Sequence, residues 1–255
     1  MAGYARRGDD GQCGIVTPDL VKQKGRITFR KKAQPMQSSL LSDLDLAALL
    51  CSRVCHDVIS PVGAITNGLE LLEVEDDEAM RTMAMDLVRK SARQASAKLK
   101  FCRIAFGAAG SAGAIIDMGE AGDVAKAFVG EEKIRLDWQV PRENRPKQQV
   151  KLLLNMMLIA MGSIPRGGVV KAEAVEGGFL VRATGEGAKI FEKTEQVLKG
   201  TVQLEEIDAR LIQPYYTKRL AEAAGLPLTM MIDGADVVVR AVAAAEAAAP
   251  IAQAG

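Results

Sequence analysis

Apolar and small residues recur at Leu44, Ala48, Cys51, Cys55, Val58, Val62, Ile65, Leu69 and Leu72. The steps alternate between four and three residues, the period of a bundle helix with one buried seam. Ser42 or Asp43 supplies an N-cap. About 30 residues make a rod of roughly 45 Å. The acidic stretch 73–77 is a turn. A second helix is predicted over 78–106, with Met80, Met83, Leu87, Ser91, Ala95, Leu99, Cys102 and Phe106 on one side. The small residues of 107–113 end it. The two helices form a hairpin that is apolar over a wide arc, since Leu49, Leu50, Ile59, Ile104 and Ala105 lie off the stripe. A second copy would cover that arc by completing a symmetric four-helix bundle, a homodimer. The alternative is that the second half of the chain covers the hairpin.

From residue 115 the period changes. Short strands are predicted at 115–117, 133–140, 169–175, 179–183, 228–232 and 237–242, and helices at 120–128, 148–163, 192–198 and 214–224. Gly177-Gly178 and Asp233-Gly234 are hairpin turns. The fold class is therefore α+β: a helical hairpin over 40–107, then an α/β sandwich over 114–243 with one mixed sheet and helices on one face. Residues 1–39 lack an apolar period and are rich in basic residues, as in a disordered arm. The Ala-rich stretch 244–255 is a fraying tail.

Composition narrows the function. The chain has 255 residues, 33 Lys and Arg against 32 Asp and Glu, and a net charge of +1, so charge gives no argument for nucleic acid. Apolar residues make up 48% and aromatics 4%, a core of aliphatic side chains on packed helices. The absence of an unbroken run of about 18 apolar residues argues against a membrane span. Arg6 and Arg7 precede no apolar stretch, so no secretory signal is expected. The 4 cysteines at irregular spacing fit reduced thiols in a cytoplasm. Cys51, Cys55, Cys102 and His56 make a poor zinc set, because the cysteines fall on the seam and His56 does not.

The single histidine, His56, excludes any site that needs two imidazoles from one chain. It sits about 100° around the helix from the seam, on the outer face with Ser52, Arg53, Ile59 and Ser60. Asp57 follows and can orient the ring and set its tautomer. Pro61 lies inside the same helix. It has no N–H for the Asp57 carbonyl and kinks the rod, a defect of about 3 kcal/mol that loosens the backbone beside a reactive side chain.

His56, an acid at Asp57, three residues and then Pro61, on a long helix followed by a second helix, resembles the dimerisation and phosphoacceptor hairpin of histidine kinases. The resemblance implies that His56 carries a phosphoryl group. It extends into the second half. Kinases place Leu-Leu-Asn-Leu-Leu-x-Asn-Ala on an ATP-domain helix, and the last Asn holds Mg²⁺. Here Leu153-Leu154-Asn155-Met156-Met157-Leu158-Ile159-Ala160 puts Ile159 in that place, and an aliphatic side chain cannot ligate a hard cation. The Asp-x-Gly-x-Gly base reader becomes Ala183-Thr184-Gly185-Glu186-Gly187, with Ala183 at the Asp position. In place of the Gly-rich phosphate loop stands Ile212-Gln213-Pro214-Tyr215-Tyr216.

A live histidine with an emptied ATP-binding, Bergerat-like domain is similar to histidine phosphotransferases of the ChpT type. That likeness runs from Leu44 to Val242 and implies a phosphorelay of the bacterial cell cycle. His56 would accept phosphoryl from the receiver domain of a hybrid kinase (CckA in that family) and pass it to response regulators such as CtrA and CpdR. Mg²⁺ would come with the receiver, so no cofactor of its own is implied. Arg53 would help neutralise the transferring group, and Ile59, Ser60, Gly63, Ala64 and Asn67 would contact the receiver. The basic residues Arg81, Arg89, Lys90, Arg93, Lys98, Lys100 and Arg103 form a solvated face or a steering surface for an acidic receiver. Two other readings stay open: an ATP-dependent sensor-type histidine kinase, and a non-enzymatic dimeric adaptor for receivers.

Overall fold

The computed structural model describes residues 40–107, 114–130 and 133–243. The arm expected over 1–39 and the tail expected over 244–255 lie outside the described residues.

Helix α1 spans Asp43–Val74 and α2 spans Glu78–Ala105. The Ser42 hydroxyl accepts the Asp45 N–H at 3.1 Å, and the Asp77 carboxylate accepts the Met80 N–H at 2.9 Å. Each satisfies a donor that the first turn leaves open. The Arg81 guanidinium clamps the turn between the helices. It donates to the carbonyls of Leu72 at 2.7 Å and Glu75 at 2.9 Å. Arg81 is therefore part of the hairpin corner rather than of a free basic strip.

The seam between the helices keeps the predicted Ser91, Ala95 and Cys102 and differs at the larger residues. On α2 the buried row is Ala84, Ser91, Ala95 and Cys102, and on α1 the buried residues are Pro61 and Gly68. A Cβ on Gly68 would lie 2.7 Å from Val88 Cγ2 and 3.3 Å from the Ala84 carbonyl oxygen. Small side chains thus bring the two backbones together. The large residues assigned to the seam point elsewhere: Leu44, Val62, Leu69, Met80, Met83, Leu87 and Leu99 are all exposed on the single chain. Cys51 and Cys55, expected in the seam, are exposed as well.

The second half contains β1 (Ile115–Asp117), α3 (Met118–Val129), β2 (Ile134–Gln139), β3 (Asn144–Pro146), α4 (Lys147–Gly162), β4 (Gly168–Val175), β5 (Gly178–Thr184), α5 (Glu192–Lys199), a 3₁₀ turn at Leu204–Glu206, α6 (Ile212–Ala224), β6 (Leu228–Asp233) and β7 (Asp236–Val242). The main sheet has the order β2-β4-β5-β7-β6. The β2–β4 pair is parallel and the other pairs are antiparallel. Val170, Ala172, Phe179, Val181, Ala183, Val237, Val239 and Ala241 alternate along the inner face and meet α4 in the core. This is the expected α+β sandwich with a mixed sheet. The 3₁₀ turn and β3, which pairs with β1, were not predicted; three residues ending in proline carry no readable period.

Of the off-stripe residues of the hairpin, all but Ile59, which is exposed, are covered by this half of the chain. Phe101, Ile104 and Ala105 join the main core, and Phe101 stacks on Phe128 at 4.0 Å between centroids. Leu46, Leu49 and Leu50 pack on Val197, Ile207, Ile212 and Tyr215. The Leu41 N–H donates to the Tyr215 hydroxyl at 3.0 Å. Between these apolar contacts lies a buried polar node. The Asn155 amide donates to the Ala105 carbonyl at the end of α2 at 3.0 Å. Gln213 donates to the Asn155 backbone carbonyl at 2.8 Å and to its Oδ1 at 3.3 Å, and to the Thr217 hydroxyl at 3.0 Å.

Replacing Asn155 with Ala removes the donor to Ala105 and one acceptor of Gln213 in a dry site. The expected loss is on the order of 2–3 kcal/mol. Chemical denaturation should show a lower midpoint with an unchanged slope.

Candidate functional site

His56 sits in the middle of α1 and turns its ring to solvent, with its side chain 81% exposed. The backing carboxylate is better buried: the Asp57 side chain is 19% exposed and that of Arg53 is 28% exposed. Arg53 Nε donates to Asp57 Oδ2 at 2.9 Å across one helical turn. The other carboxylate oxygen, Oδ1, lies 3.4 Å from His56 Nδ1, at the outer limit of a hydrogen bond. The carboxylate is thus held on one side by a cation and offers its free oxygen to the ring. A proton on Nδ1 faces Asp57 in this geometry, and the lone pair of Nε2 is then left for solvent or a partner.

Along the same side of α1, Ile59, Ser60, Gly63 and Asn67 are exposed and Ala64 is half-buried. A Cβ on Gly63 would meet nothing within 4 Å. The predicted partner-contact residues therefore share an accessible strip with His56.

Pro61 is buried and α1 continues through it. Its missing N–H would leave the Asp57 carbonyl without its helical partner. Lys98 Nζ, from α2, donates to that carbonyl at 2.8 Å. Sequence reasoning placed Lys98 in a solvated strip. The overlooked signal was spacing: residue 98 continues the row of Ser91, Ala95 and Cys102 by steps of three and four, so a lysine lies on the seam face. With Arg81 and Lys98 engaged inside the hairpin, the exposed basic residues of α2 are Arg89, Lys90, Arg93, Lys100 and Arg103.

Beneath this layer lies the Cys102 thiol. Burial, followed by the negative charge of Asp57, pushes its pKa up to about 11, against smaller lowering effects of Arg53 and Lys98. Cys102 is buried whereas Cys51 and Cys55 face outward, so the three thiols and His56 do not converge on one point.

The positions that correspond to nucleotide ligands in kinases are apolar and closed. Ile159 is 4% exposed and Ala183 is fully buried. The cavity beside Ile159 measures about 160 Å³, and its walls include Ser163, Phe191, Arg210, Gln213 and, from the hairpin, Arg53. Small-molecule sites usually offer about 300 Å³ or more. Gln213 stands at the start of α6, where the resemblance places a phosphate loop, and its amide is spent on Asn155 and Thr217.

By length and mean hydropathy, 1.3 over its most apolar window, α1 is long and apolar enough to cross a membrane, and 6% of that window is buried. The expected absence of an unbroken apolar run holds, since Ser52, Arg53, His56 and Asp57 interrupt the helix. Cysteines and aliphatic residues set between polar ones raise the average without forming an unbroken run.

Residues 118–236 match the family model of the histidine phosphotransferase C-terminal domain. The chain is 49% identical over 205 residues to the protein phosphotransferase ChpT of Brucella abortus (strain 2308), a match that spans 78% of this chain and 95% of that one. A solved structure of a bacterial phosphotransferase superposes with a TM-score of 0.71 at 47% identity, over 79% of this chain and 98% of that one. With identity of this level spread over both the hairpin and the sheet domain, the chain belongs to the ChpT-type histidine phosphotransferases.

Proposed function

We propose that this chain relays phosphoryl groups between receiver domains of a two-component system, with His56 as the acceptor. The observation that carries this reading is the exposed imidazole backed by a carboxylate that Arg53 holds in place. A neutral imidazole is a nucleophile near pH 7, since its ordinary pKa is about 6.5. Nε2 attacks the phosphorus of a receiver's aspartyl phosphate. The N–P bond forms as the P–O bond to the aspartate breaks, and the electron pair leaves with that carboxylate. The proton on Nδ1 stays, so the phosphorylated ring carries positive charge that Asp57 stabilises. The reverse step, on a second receiver, regenerates neutral His56. Both phosphorylated species are energy-rich, and catalysis is mostly alignment of donor, phosphorus and acceptor. Arg53, one turn before His56, adds positive charge beside the transferring group.

The receiver brings the Mg²⁺ that its own aspartyl chemistry needs, and this chain contributes no cofactor. A receiver helix lies along Ile59, Ser60, Gly63, Ala64 and Asn67, where Gly63 leaves room for another backbone. Arg89, Arg93, Lys100 and Arg103 steer the acidic receiver pocket toward the hairpin through on-rate and salt dependence. The buried aliphatic side chains at Ile159 and Ala183 support a phosphotransferase without kinase activity of its own. The exposed aliphatic residues of the hairpin support a homodimer: Val62, Leu69, Met80, Met83 and Leu87 are between 41% and 66% exposed on the single chain. A second hairpin covers them by forming a four-helix bundle.

His56→Ala should abolish transfer of label from a phosphorylated receiver while stability changes by no more than about 0.5 kcal/mol. Receiver binding should persist. If the variant still takes up label, the acceptor lies elsewhere; if wild type binds receiver but takes up none, the protein is an adaptor. Asp57→Asn should slow transfer without abolishing it.

Val62→Glu combined with Leu69→Glu should give a folded monomer in sedimentation, because both side chains are already solvent-exposed on one chain. A wild-type monomer at tens of micromolar would remove the bundle. Titration with Mg²⁺-ATP should show no saturation in the micromolar range; saturable binding would restore the kinase reading.

A further inference from the structure

We infer that Lys98 is a positioning residue for His56: its ammonium replaces the backbone donor that Pro61 removes and so fixes the Asp57 peptide that carries the orienting carboxylate. The transfer arm of this inference rests on His56 being the acceptor.

In an uninterrupted helix the N–H of residue 61 would donate to the carbonyl of residue 57. Proline has none, and its ring crowds that carbonyl. The turn between His56 and Pro61 is therefore the one place inside α1 where the helix cannot hold itself. Lys98 reaches it from α2, across 41 residues of sequence, with Nζ 2.8 Å from the Asp57 oxygen. An ammonium to a carbonyl is a charge-assisted bond, stronger than the amide bond it replaces. Asp57 is then held at two points, its carbonyl by Lys98 and its Oδ2 by Arg53 at 2.9 Å. What remains is Oδ1, 3.4 Å from His56 Nδ1. Releasing the carbonyl lets the peptide tilt and moves Oδ1 relative to the ring, so the Nδ1–H tautomer loses its partner. Lys98 touches neither the ring nor the phosphoryl group in this arrangement. Its effect passes through Asp57.

The proline offers a direct test. In Pro61→Ala the backbone again supplies an N–H to the Asp57 carbonyl, and Lys98 becomes redundant. A double-mutant cycle of Lys98→Met and Pro61→Ala on the full chain separates the two accounts. Two readouts apply: transfer from a phosphorylated receiver, and the ¹⁵N imidazole tautomer by NMR, unambiguous because the chain has a single histidine. With Pro61 present, Lys98→Met should slow transfer by about tenfold and shift the ring away from the Nδ1–H form. In the Pro61→Ala background, the same lysine change should cost less than about twofold and leave the tautomer alone. Lys98→Arg, which keeps a charged donor, should retain most of the wild-type rate. Equal losses in both backgrounds would overturn the inference, since Lys98 would then act through charge or packing. An unmoved tautomer in Lys98→Met would overturn it too. Where Lys98→Met unfolds the chain, Lys98→Leu, which likewise has no donor, takes its place under the same criteria. If His56→Ala still accepts label, the relay reading fails on its own, and the tautomer cycle still decides the role of Lys98.

Discussion

Small side chains set the distance between α1 and α2, and the rest of the molecule follows from that distance. A methyl group at Gly68 would meet Val88 Cγ2 at 2.7 Å, and Ala84, Ser91 and Ala95 line the facing row. Helices that approach this closely have no room between them for Leu, Met or Phe. Those residues are displaced to the outer faces of the hairpin, where they need other partners. The close approach also brings Lys98 within 2.8 Å of the Asp57 carbonyl, which a wider pair of helices would leave to water. Packing on this scale therefore reaches the turn that carries His56 directly.

The sheet domain supplies one set of those partners. The end of α2 is embedded in its core through Phe101, Ile104 and Ala105, and the start of α1 rests on α5 and α6 through Leu46, Leu49 and Leu50. A polar pair ties the two halves together: Asn155 holds the last turn of α2, and Gln213, which stands where the kinase resemblance expects a phosphate loop, holds Asn155. Arg53, one turn before His56, forms part of the wall of the cavity at Ile159. The polar side chains of Asn155 and Gln213 are buried and mutually satisfied, as a dry interior requires.

Most of the elements were legible because their periods are strong. The hairpin limits and the strands around Gly177-Gly178 and Asp233-Gly234 follow from spacing and turn chemistry. The predicted site residues His56 and Asp57 do stand together on α1. On α2 the small members of the predicted row, Ser91, Ala95 and Cys102, are buried, whereas the large residues Met80, Met83, Leu87 and Leu99 of the same stripe turn outward. The period marks a stripe but not which of its edges faces the other helix, and the tightest contact is made at Gly68, which the stripe does not include. Cys51 and Cys55 lie on the stripe and on its exposed edge. A lysine is ordinarily solvated, so the position of Lys98 on the seam row is readable from spacing, but its partner, the Asp57 carbonyl that Pro61 leaves open, is seen only in three dimensions. The short strand β3 and the 3₁₀ turn at Leu204–Glu206 are too brief to leave a period at all.

The apolarity of α1 has a geometric explanation that does not call for a bilayer. At 100° per residue, its side chains fall into three groups roughly 120° apart. Val54, Pro61 and Gly68 face α2. Cys51, Cys55, Val62 and Leu69 form a second row, apolar and exposed. His56, Ser60, Gly63 and Asn67 form the third, small and polar. A helix crossing lipid would place the Arg53–Asp57 pair and His56 in hydrocarbon, and translocon scales charge about 2.5–3.5 kcal/mol for each ionised group at the centre. A helix packed in protein faces no such cost, because its polar row stays in water. The proposed second copy takes the aliphatic row, and the first row is already taken by α2. On this division the high mean hydropathy of α1 comes from the side packed on α2 and from the aliphatic row, and His56 occupies the side that remains.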